Sequence, residues 1–223
     1  MTNSKEVSVE LSRPQMISAL APYGIRPTDE LLEKILAYVR ILVKWNRIIN
    51  LTTITNPVEI VGRHFGESMF ATNVISVEKC RLADVGTGAG FPGMALKILC
   101  PEIHLTLIES NKKKSAFLSE VVRTLGLTQV EILTARFEEI APEELRADFI
   151  TARALGGFSD LLKWSSKALT RRGHAVLWVG GEDVTRITNI DGWAWNPPVR
   201  IPDSQRRYLL TGRYVGNGVD SSR

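Results

Sequence analysis

The sequence contains little cysteine and histidine, and this scarcity excludes several classes of site. Its 223 residues include two cysteines, Cys80 and Cys100, and three scattered histidines, His64, His104 and His174. Because there is no C-x-x-C pair and no His/Cys cluster, a structural zinc site is not expected, and we predict no metal. Both cysteines lie in apolar stretches, which is typical of buried thiols in a reducing compartment.

Long apolar segments and a strong charge imbalance are also absent. No run approaches the roughly 18–20 apolar residues that span a membrane, and residues 1–6 lack the apolar region of a signal peptide. Lys+Arg 28 against Asp+Glu 24 gives a net charge of +4. We therefore expect a soluble, cytoplasmic protein without membrane association. The mild basic bias permits a nucleic-acid partner but does not establish one, and no self-complementary apolar stripe stands out, so a monomer is expected.

The most informative segment that is present spans residues 82–93 and reads LADVGTGAGFPG. An apolar strand end is followed by Asp84 and then by three glycines at alternate positions, Gly86, Gly88 and Gly90. Glycine allows a sharp turn with positive φ and the close approach of a ligand. The N–H groups at the start of the following helix favour electronegative ligand groups. The segment therefore predicts a nucleotide-type binding turn in an α/β sheet.

Two motifs overlap in this turn and indicate different ligands. Residues 88–93 match the G-x-G-x-x-G of dinucleotide-binding proteins. Residues 84–90 match the acid-x-G-x-G-x-G of class I S-adenosylmethionine methyltransferases. A carboxylate at Asp84 would repel a pyrophosphate, but it suits a ligand with an ammonium and a sulfonium group. S-adenosylmethionine is thus the favoured ligand, with a dinucleotide and a purely structural turn as alternatives.

A second acid supports a nucleoside ligand. Residues 105–109, LTLIE, are typical of a strand that ends in a carboxylate. Glu109 follows Gly86 at close to the roughly 20-residue spacing at which an acid binds ribose hydroxyls. A solvated strand end is the alternative interpretation of Glu109.

The chain divides into a helical part and an alternating part. Residues 1–75 show helix caps and a 3.6-residue apolar period, most clearly over 29–50. Residues 76–215 alternate strand and helix patterns, which predicts an α/β fold with a mostly parallel, seven-stranded sheet. We thus expect a class I, Rossmann-like methyltransferase core with an N-terminal helical extension, and a disordered tail at 216–223. The predicted strands are 81–85, 103–109, 129–134, 147–152 and 174–180, with a terminal hairpin over 191–215, and the predicted core helices are 92–99, 111–125, 137–144 and 157–169.

With these motifs placed, the chain resembles the RsmG (GidB) family of bacterial methyltransferases over roughly residues 12–215. The resemblance implies S-adenosylmethionine-dependent methylation of N7 of one guanine, position 527, in 16S ribosomal RNA of the small subunit. His64 lies in one of the family-like segments, and we expect it to pack, with an RNA contact as the alternative. Five segments occur in the family's order, and they are Trp45–Thr52 (WNRIINLT), Arg63–Ser68 (RHFGES), Asp84–Gly93, Ala135–Glu139 (ARFEE) and Ala152–Ala154 (ARA).

The same resemblance implies roles for individual residues. Guanine N7 has a lone pair and no proton, so the enzyme needs no general base and mainly aligns the reactants. Arg153 is expected to position the substrate at the methyl-transfer mouth by binding a phosphate or O6. A solvated Arg153 and core packing of Phe137 are the alternatives. The expected cofactor contacts are Asp84, Gly86, Gly88, Gly90, Phe91, Glu109 at the ribose, Phe137 and Glu138 at the adenine, and Arg153.

Two positions depart from the family pattern, and other functions stay open. Glu67 stands where the family usually has Asp, and Val179 stands where it has Lys. The alternatives are a methyltransferase for another RNA, a protein or a small molecule, and an RNA-binding module without catalysis. Three basic runs are expected around the ligand edge of the sheet, where they would contact RNA phosphates. These runs are Lys112–Lys114, Arg171–Arg172 and Arg206–Arg207.

Overall fold

The computed structural model describes residues 10–153 and 156–216, and its core is one eight-stranded sheet. The strands are β1 (Arg81–Val85), β2 (His104–Ile108), β3 (Val130–Leu133), β4 (Ala147–Arg153), β5 (Leu169–Gly180), β6 (Trp193–Trp195), β7 (Val199–Arg200) and β8 (Arg207–Tyr214). Their order is β3-β2-β1-β4-β5-β8-β6, and β7 also pairs with β8. Strands β1 to β5 are parallel, whereas β8 runs antiparallel to β5, β6 and β7.

Helices cover both faces of this sheet. The α-helices are α1 (Arg13–Leu20), α2 (Asp29–Asn46), α3 (Pro57–Ile60), α4 (Glu67–Met69), α5 (Gly93–Leu99), α6 (Lys112–Thr124), α7 (Pro142–Leu145), α8 (Phe158–Ala168) and α9 (Gly181–Thr188). A π-helix spans Val61–Gly66, and 3₁₀ turns span Ala21–Tyr23, Phe70–Asn73 and Phe137–Glu139. Within the described ranges, every helix is too short or too polar to cross a membrane.

The expected mostly parallel sheet is present, with one strand more than predicted. The extra strand is β7, which forms because the connection after β6 returns to pair with β8. Strand β5 begins at Leu169 instead of residue 174, since its first residues pair with the start of β4. The predicted tail lies outside the described residues except for Gly216. The division of the chain at residue 75 stays a prediction.

Two predicted helices differ from their predicted bounds: the helix predicted over 29–50 ends early, and the helix predicted over 137–144 is divided in two. The helix α2 ends at Asn46, whose side-chain oxygen accepts hydrogen bonds from the N–H groups of Leu51 and Thr52 at 2.8 and 3.0 Å. These bonds turn the chain away from the helix axis. The helix predicted over 137–144 is a 3₁₀ turn followed by α7, which starts at Pro142.

The two faces of the sheet pack against different layers. Successive strand residues point to opposite faces, so Leu82 packs with the N-terminal helices, α5 and α6, whereas Ala83 packs with α8. The first layer includes Leu32, Ile35 and Leu42 of α2, which are at most 2% exposed. The N-terminal helices therefore cover the sheet face on which the side chains of Leu82 and Asp84 lie.

Helix α2 also contacts the glycine turn directly, through Tyr38. The fully buried Tyr38 donates a hydrogen bond from Oη to the carbonyl of Ala89 at 2.7 Å, and its ring stacks on Phe91 with centroids 5.4 Å apart. At Gly90, which has φ of +86°, a Cβ would lie 2.1 Å from Tyr38 Oη. Glycine is needed here because the turn and α2 approach too closely for a side chain.

Replacing Gly90 by Ala is expected to destabilise the protein more than replacing Gly88. Both sites have positive φ, which costs roughly 1–2 kcal/mol for a residue with a Cβ. Gly90→Ala adds an overlap with Tyr38, worth about 1–3 kcal/mol. At Gly88 the nearest atom to a new Cβ is the Gly86 carbonyl oxygen at 3.9 Å, so Gly88→Ala serves as the matched control. Urea unfolding measures both losses, Tyr38→Phe should restore part of the Gly90→Ala loss, and equal losses would contradict the packing role.

Candidate active site

The order of the strands places a crevice at the end of β1. β1 pairs with β2 on one side and with β4 on the other, and this reversal of connection direction is where open parallel sheets bind ligands. A cleft of about 280 Å³ opens at this edge. A hollow of about 530 Å³ also exists, but a single loop, 200–205, forms it. The cleft is lined by residues from several strand ends, among them Gly86, Ile108, Ser110, Ala135, Phe137 and Glu138.

Asp84 lies under the turn and shapes it. Its fully buried carboxylate accepts hydrogen bonds from the Gly93 N–H at 3.0 Å, from the Thr87 hydroxyl and from the Thr151 hydroxyl at 2.7 Å. Burial raises the pKa of Asp84 to about 6, and the hydrogen bonds from Thr87 and Thr151 oppose that rise. The geometry therefore gives Asp84 a role in forming the turn, and direct contact with a ligand stays a prediction.

Glu109 joins the same turn to the end of β2. One carboxylate oxygen accepts from the Gly88 N–H at 2.9 Å, and the other accepts from the Asn111 N–H at 2.8 Å. The side chain is largely buried. Each oxygen keeps a further lone pair that can accept from a hydroxyl group. Glu109 is thus fixed beside the turn, as its spacing from Gly86 predicts.

The structure brings Gly86, Phe137 and Glu138 together at the cleft. Gly86 adopts φ of +65°, and Glu138 is exposed at the rim. The half-buried ring of Phe137 lines the cleft and also packs edge-on against Trp164, with centroids 5.5 Å apart. Phe137 therefore packs against Trp164, in line with the alternative interpretation, and its ring also remains available to a ligand in the cleft.

Gly90 and Phe91 lie in the turn but face the protein interior. The Phe91 ring stacks on His64, with centroids 4.8 Å apart and an angle of 14° between the planes, as well as on Tyr38. The position of a Cβ at Gly90 is blocked by the same Tyr38. The Phe91 ring therefore packs inside the protein, which the sequence motif alone did not reveal, and a cofactor contact of Gly90 or Phe91 stays a prediction.

Sequence reasoning noted Glu67 only as a departure from the family pattern and missed its role. The Glu67 side chain is fully buried. One of its oxygens lies 2.9 Å from Arg63 Nε and 2.7 Å from Arg207 Nη2, and the other lies 3.4 Å from Arg153 Nη2. The indole of Trp178 donates to the Glu67 carbonyl at 2.8 Å. The Arg63–Glu67 pair is visible as an i,i+4 spacing, but the other two partners come from distant strands.

This arginine cluster, Arg63, Arg153 and Arg207 around Glu67, has more positive than negative charge. Burial lowers the pKa of Arg153, and the nearby Glu67 carboxylate opposes the effect. Arg153 has 15% of its side chain exposed, against 35% for Arg63 and 31% for Arg207. The cluster therefore has one enclosed guanidinium and two that reach solvent, and the alternative of a solvated Arg153 does not describe its position.

His64 lies on the π-helix, a rare conformation that often occurs at functional sites. Its Nε2 is 2.7 Å from Thr52 Oγ1, and its ring stacks on Phe91. Burial, Arg153 and Arg63 lower the pKa of His64 to about 3, so the imidazole is neutral at physiological pH. These contacts agree with the expected packing role.

Two of the three basic runs lie at the ligand edge, and the third does not. Lys112–Lys114 begin α6 directly after β2, and Arg207 pairs with Gly180 at the end of β5. Arg171–Arg172 lie near the start of β5, beside the start of β4. Because the start of a parallel strand lies at the edge opposite its end, the expectation that all three runs surround the ligand edge is wrong for Arg171–Arg172.

The residue that departs from the family lysine also lies apart from the arginine cluster. Val179 is buried in the apolar cluster with α8, whereas its neighbour Trp178 packs with the N-terminal helices. The two faces of β5 thus separate Val179 from Arg153, and a lysine at position 179 would start from the other face of the sheet.

Thiol and metal chemistry have no assembled site in the described part of the chain. Cys80 is buried and Cys100 is partly buried, and both are free thiols. Burial raises the pKa of Cys80 to about 12, so it is not a thiolate at neutral pH. Across residues 10–153 and 156–216, no group of three or more His, Cys, Asp or Glu side chains is placed to hold a metal ion.

The fold and the position of the cleft define a class of protein. A solved S-adenosylmethionine-dependent methyltransferase from Aquifex aeolicus superposes with a TM-score of 0.59 at 18% identity, over 71% of this chain and 94% of that one. At this identity the likeness concerns the fold alone. The predicted class I, Rossmann-like methyltransferase fold is confirmed.

Sequence comparison then identifies the family. The family model described as rRNA small subunit methyltransferase G, or GidB, matches residues 31–190. Ribosomal RNA small subunit methyltransferase G of Roseiflexus castenholzii is 39% identical over 88% of both chains. The protein of the same name from Mesoplasma florum is 37% identical over 75% of this chain and 73% of its own. The chain belongs to this family of ribosomal RNA methyltransferases.

Neutralising Glu67 is expected to destabilise the protein far more than neutralising Glu59. Glu67→Gln leaves the enclosed guanidinium of Arg153 and its two partly exposed neighbours without their buried carboxylate, which costs about 3–5 kcal/mol. Glu59 also pairs with Arg63, at 3.5 Å, but its side chain is 50% exposed, so Glu59→Gln should cost less than about 1 kcal/mol. Urea unfolding compares the two variants. Losses of equal size would show that the cluster does not depend on Glu67.

Proposed function

We propose that this protein transfers the methyl group of S-adenosylmethionine to N7 of a guanine, position 527 by family resemblance, in 16S ribosomal RNA of the small subunit. The main supporting observation is the convergence of Gly86, Phe137 and Glu138 on one cleft at the end of β1, with Glu109 hydrogen-bonded to the adjoining Gly88. This arrangement occurs in a member of the rRNA small subunit methyltransferase G family. We further propose that it acts in the cytoplasm as a monomer.

The residues at the cleft fit S-adenosylmethionine. Glu109 has lone pairs available for ribose hydroxyls, and the cleft between Gly86 and Phe137 gives the nucleoside room. At the rim, the carboxylate of Glu138 suits the amino group of an adenine. The negative charge of Asp84 under the turn favours a ligand with an ammonium and a sulfonium group. When bound, the cofactor supplies an activated methyl group.

The chain's own residues then align the acceptor without taking a proton from it. Guanine N7 has an in-plane lone pair and no proton, so direct attack requires neither a general base nor a covalent intermediate. Alignment and proximity are the protein's contribution. Arg153 lies at the end of β4, beside the turn, and this position supports the proposal that it contacts the substrate.

The basic residues at the ligand edge suit an RNA partner. Lys112, Lys113 and Arg206 are exposed, and Lys114 and Arg207 are partly exposed. Lysine and arginine at such positions contact phosphates, fix the orientation of the RNA and make binding depend on salt. The net charge of +4 is small, so we propose that an assembled subunit, with its fixed shape, is the substrate rather than naked RNA.

Transfer of labelled methyl to small subunits that lack their modifications tests the proposal. The expected product is 7-methylguanosine. Glu109→Gln should lower cofactor affinity at least about tenfold, since a charge-assisted hydrogen bond contributes roughly 1.5–3 kcal/mol. The matched control is Glu131→Gln, which changes an exposed carboxylate on β3.

Each other outcome of this assay selects a different function. Cofactor binding without label on subunits or RNA would indicate another methyl acceptor or a module without catalysis. If S-adenosylmethionine does not bind at all, the glycine turn is instead a dinucleotide site or a purely structural turn.

Cofactor affinity is expected to fall as the pH falls through about 6. The pKa of Asp84 is about 6, and a bound cation favours the ionised carboxylate. Affinity should therefore be constant above pH 6 and fall up to about tenfold per pH unit below it. Thr151→Val removes a hydrogen bond to the carboxylate, which raises the pKa of Asp84 and should move the midpoint to higher pH. Calorimetric titration between pH 5 and 7.5 measures both curves, and an unmoved midpoint would assign the titration to another group.

A further inference from the structure

Two buried nitrogen atoms beside the glycine turn have no hydrogen-bond partner among the described residues. They are Nη1 of Arg153 and Nδ1 of His64. A buried donor without a partner costs roughly 1–3 kcal/mol, and native proteins leave few of them. Such groups beside a ligand-binding turn are candidates for contact with a bound substrate.

The contact between Thr52 and His64 bears on which nitrogen of His64 is the donor. Thr52 Oγ1 accepts from the Ile54 N–H at 3.1 Å and lies 2.7 Å from His64 Nε2. Burial lowers the pKa of His64 to about 3, so the imidazole is neutral. When the Thr52 hydroxyl donates to Nε2, the proton of the neutral imidazole is on Nδ1. In that tautomer His64 Nδ1 is an N–H donor.

Both donors lie next to the glycine turn. In the β1–β4 pairing, Val85 faces Ala152, so Arg153 lies level with Gly86 at the start of the turn. His64 stacks on Phe91 of the same turn. Glu67 pairs with Arg153 and with Arg63, the residue before His64, so the two donors lie on adjoining elements.

On the basis of the proposed function, we propose that Arg153 Nη1 and His64 Nδ1 donate hydrogen bonds to O6 of the target guanine and thereby select guanine over adenine. N7 is an acceptor in both purines and cannot distinguish them, whereas position 6 is an acceptor in guanine and an amino donor in adenine. Two donors at O6 leave N7 free for the methyl group. The two donors also disfavour adenine, because its 6-amino group is itself a donor and would face them without an acceptor.

A phosphate is the less suitable partner for these two groups. His64 is neutral and offers a single N–H, which suits a carbonyl oxygen. Arg153 is the most enclosed member of the arginine cluster, whereas Arg63 and Arg207 are about one-third exposed and can reach a phosphate. In this arrangement Glu67 is a positioning residue, since it contacts Arg153 through Nη2 and leaves Nη1 for the base.

Base analogues at the target position test this assignment. Small subunits are reconstituted with guanine, inosine or 2-aminopurine at that position. Inosine keeps N7 and O6, so its methylation rate should be within about threefold of guanine. The 2-aminopurine base keeps N7 but lacks O6, so its rate should fall about 100-fold or more, since buried polar groups are then left unpaired. Reaction of each subunit with dimethyl sulfate corrects for the intrinsic reactivity of N7.

Two variants connect this selectivity to His64. His64→Phe keeps a ring on Phe91 and loses the donor, so the guanine to 2-aminopurine rate ratio should fall about tenfold while cofactor affinity is retained. Thr52→Val keeps the imidazole but removes the hydroxyl that can donate to Nε2, and the ratio should fall about threefold. Thermal unfolding checks that both variants are folded.

The outcomes separate this inference from the proposed function. If 2-aminopurine reacts as fast as inosine, or if both variants slow all three bases equally, the two donors do not recognise O6. An equal, salt-dependent loss would instead indicate a phosphate contact and would overturn the assignment. If guanine itself is not methylated although the cofactor binds, the proposed function fails and the analogue ratios have no meaning.

Discussion

The buried carboxylate of Asp84 is the constraint on which the rest of the site depends. It accepts hydrogen bonds from the turn at Thr87, from the first residue of α5 and from Thr151 on β4, so one side chain connects the two central strands to the turn and its helix. Burying a charge is costly unless hydrogen bonds compensate, and a pKa raised to about 6 shows that compensation is incomplete. With the turn fixed, Glu109 can accept from Gly88, and Tyr38 can donate to Ala89.

A second buried carboxylate, Glu67, does for the N-terminal helices what Asp84 does for the turn. It starts α4 and pairs with guanidiniums from β4, from β8 and from the preceding π-helix. The π-helix in turn places His64 on Phe91. The N-terminal helices therefore contact both the glycine turn and Arg153, and their packing helps to set the position of Arg153 as well as the shape of the turn.

The sequence predicted the features that local spacing determines. The glycine turn, the acid at the end of β2 and the five parallel strands follow from motifs and from periods of two and 3.6 residues. It did not predict features that depend on distant partners, such as the three arginines at Glu67 or the contact of Gly90 with Tyr38. The wrong placement of Arg171–Arg172 has the same origin, because only the register of β5 against β4 shows which edge they occupy.

The arrangement around Arg153 also bears on the charge that develops in the proposed reaction. Guanine becomes positively charged when N7 is methylated, so an uncompensated guanidinium beside the ring would oppose the transition state. Glu67 lies 3.4 Å from Arg153, and its negative charge offsets part of the potential of that guanidinium. Because Arg63 and Arg207 pair with the same carboxylate, the cluster stays net positive and does not favour a cationic product. Donors at O6 also withdraw electron density from N7, so their contribution is selectivity and alignment rather than activation of the nucleophile.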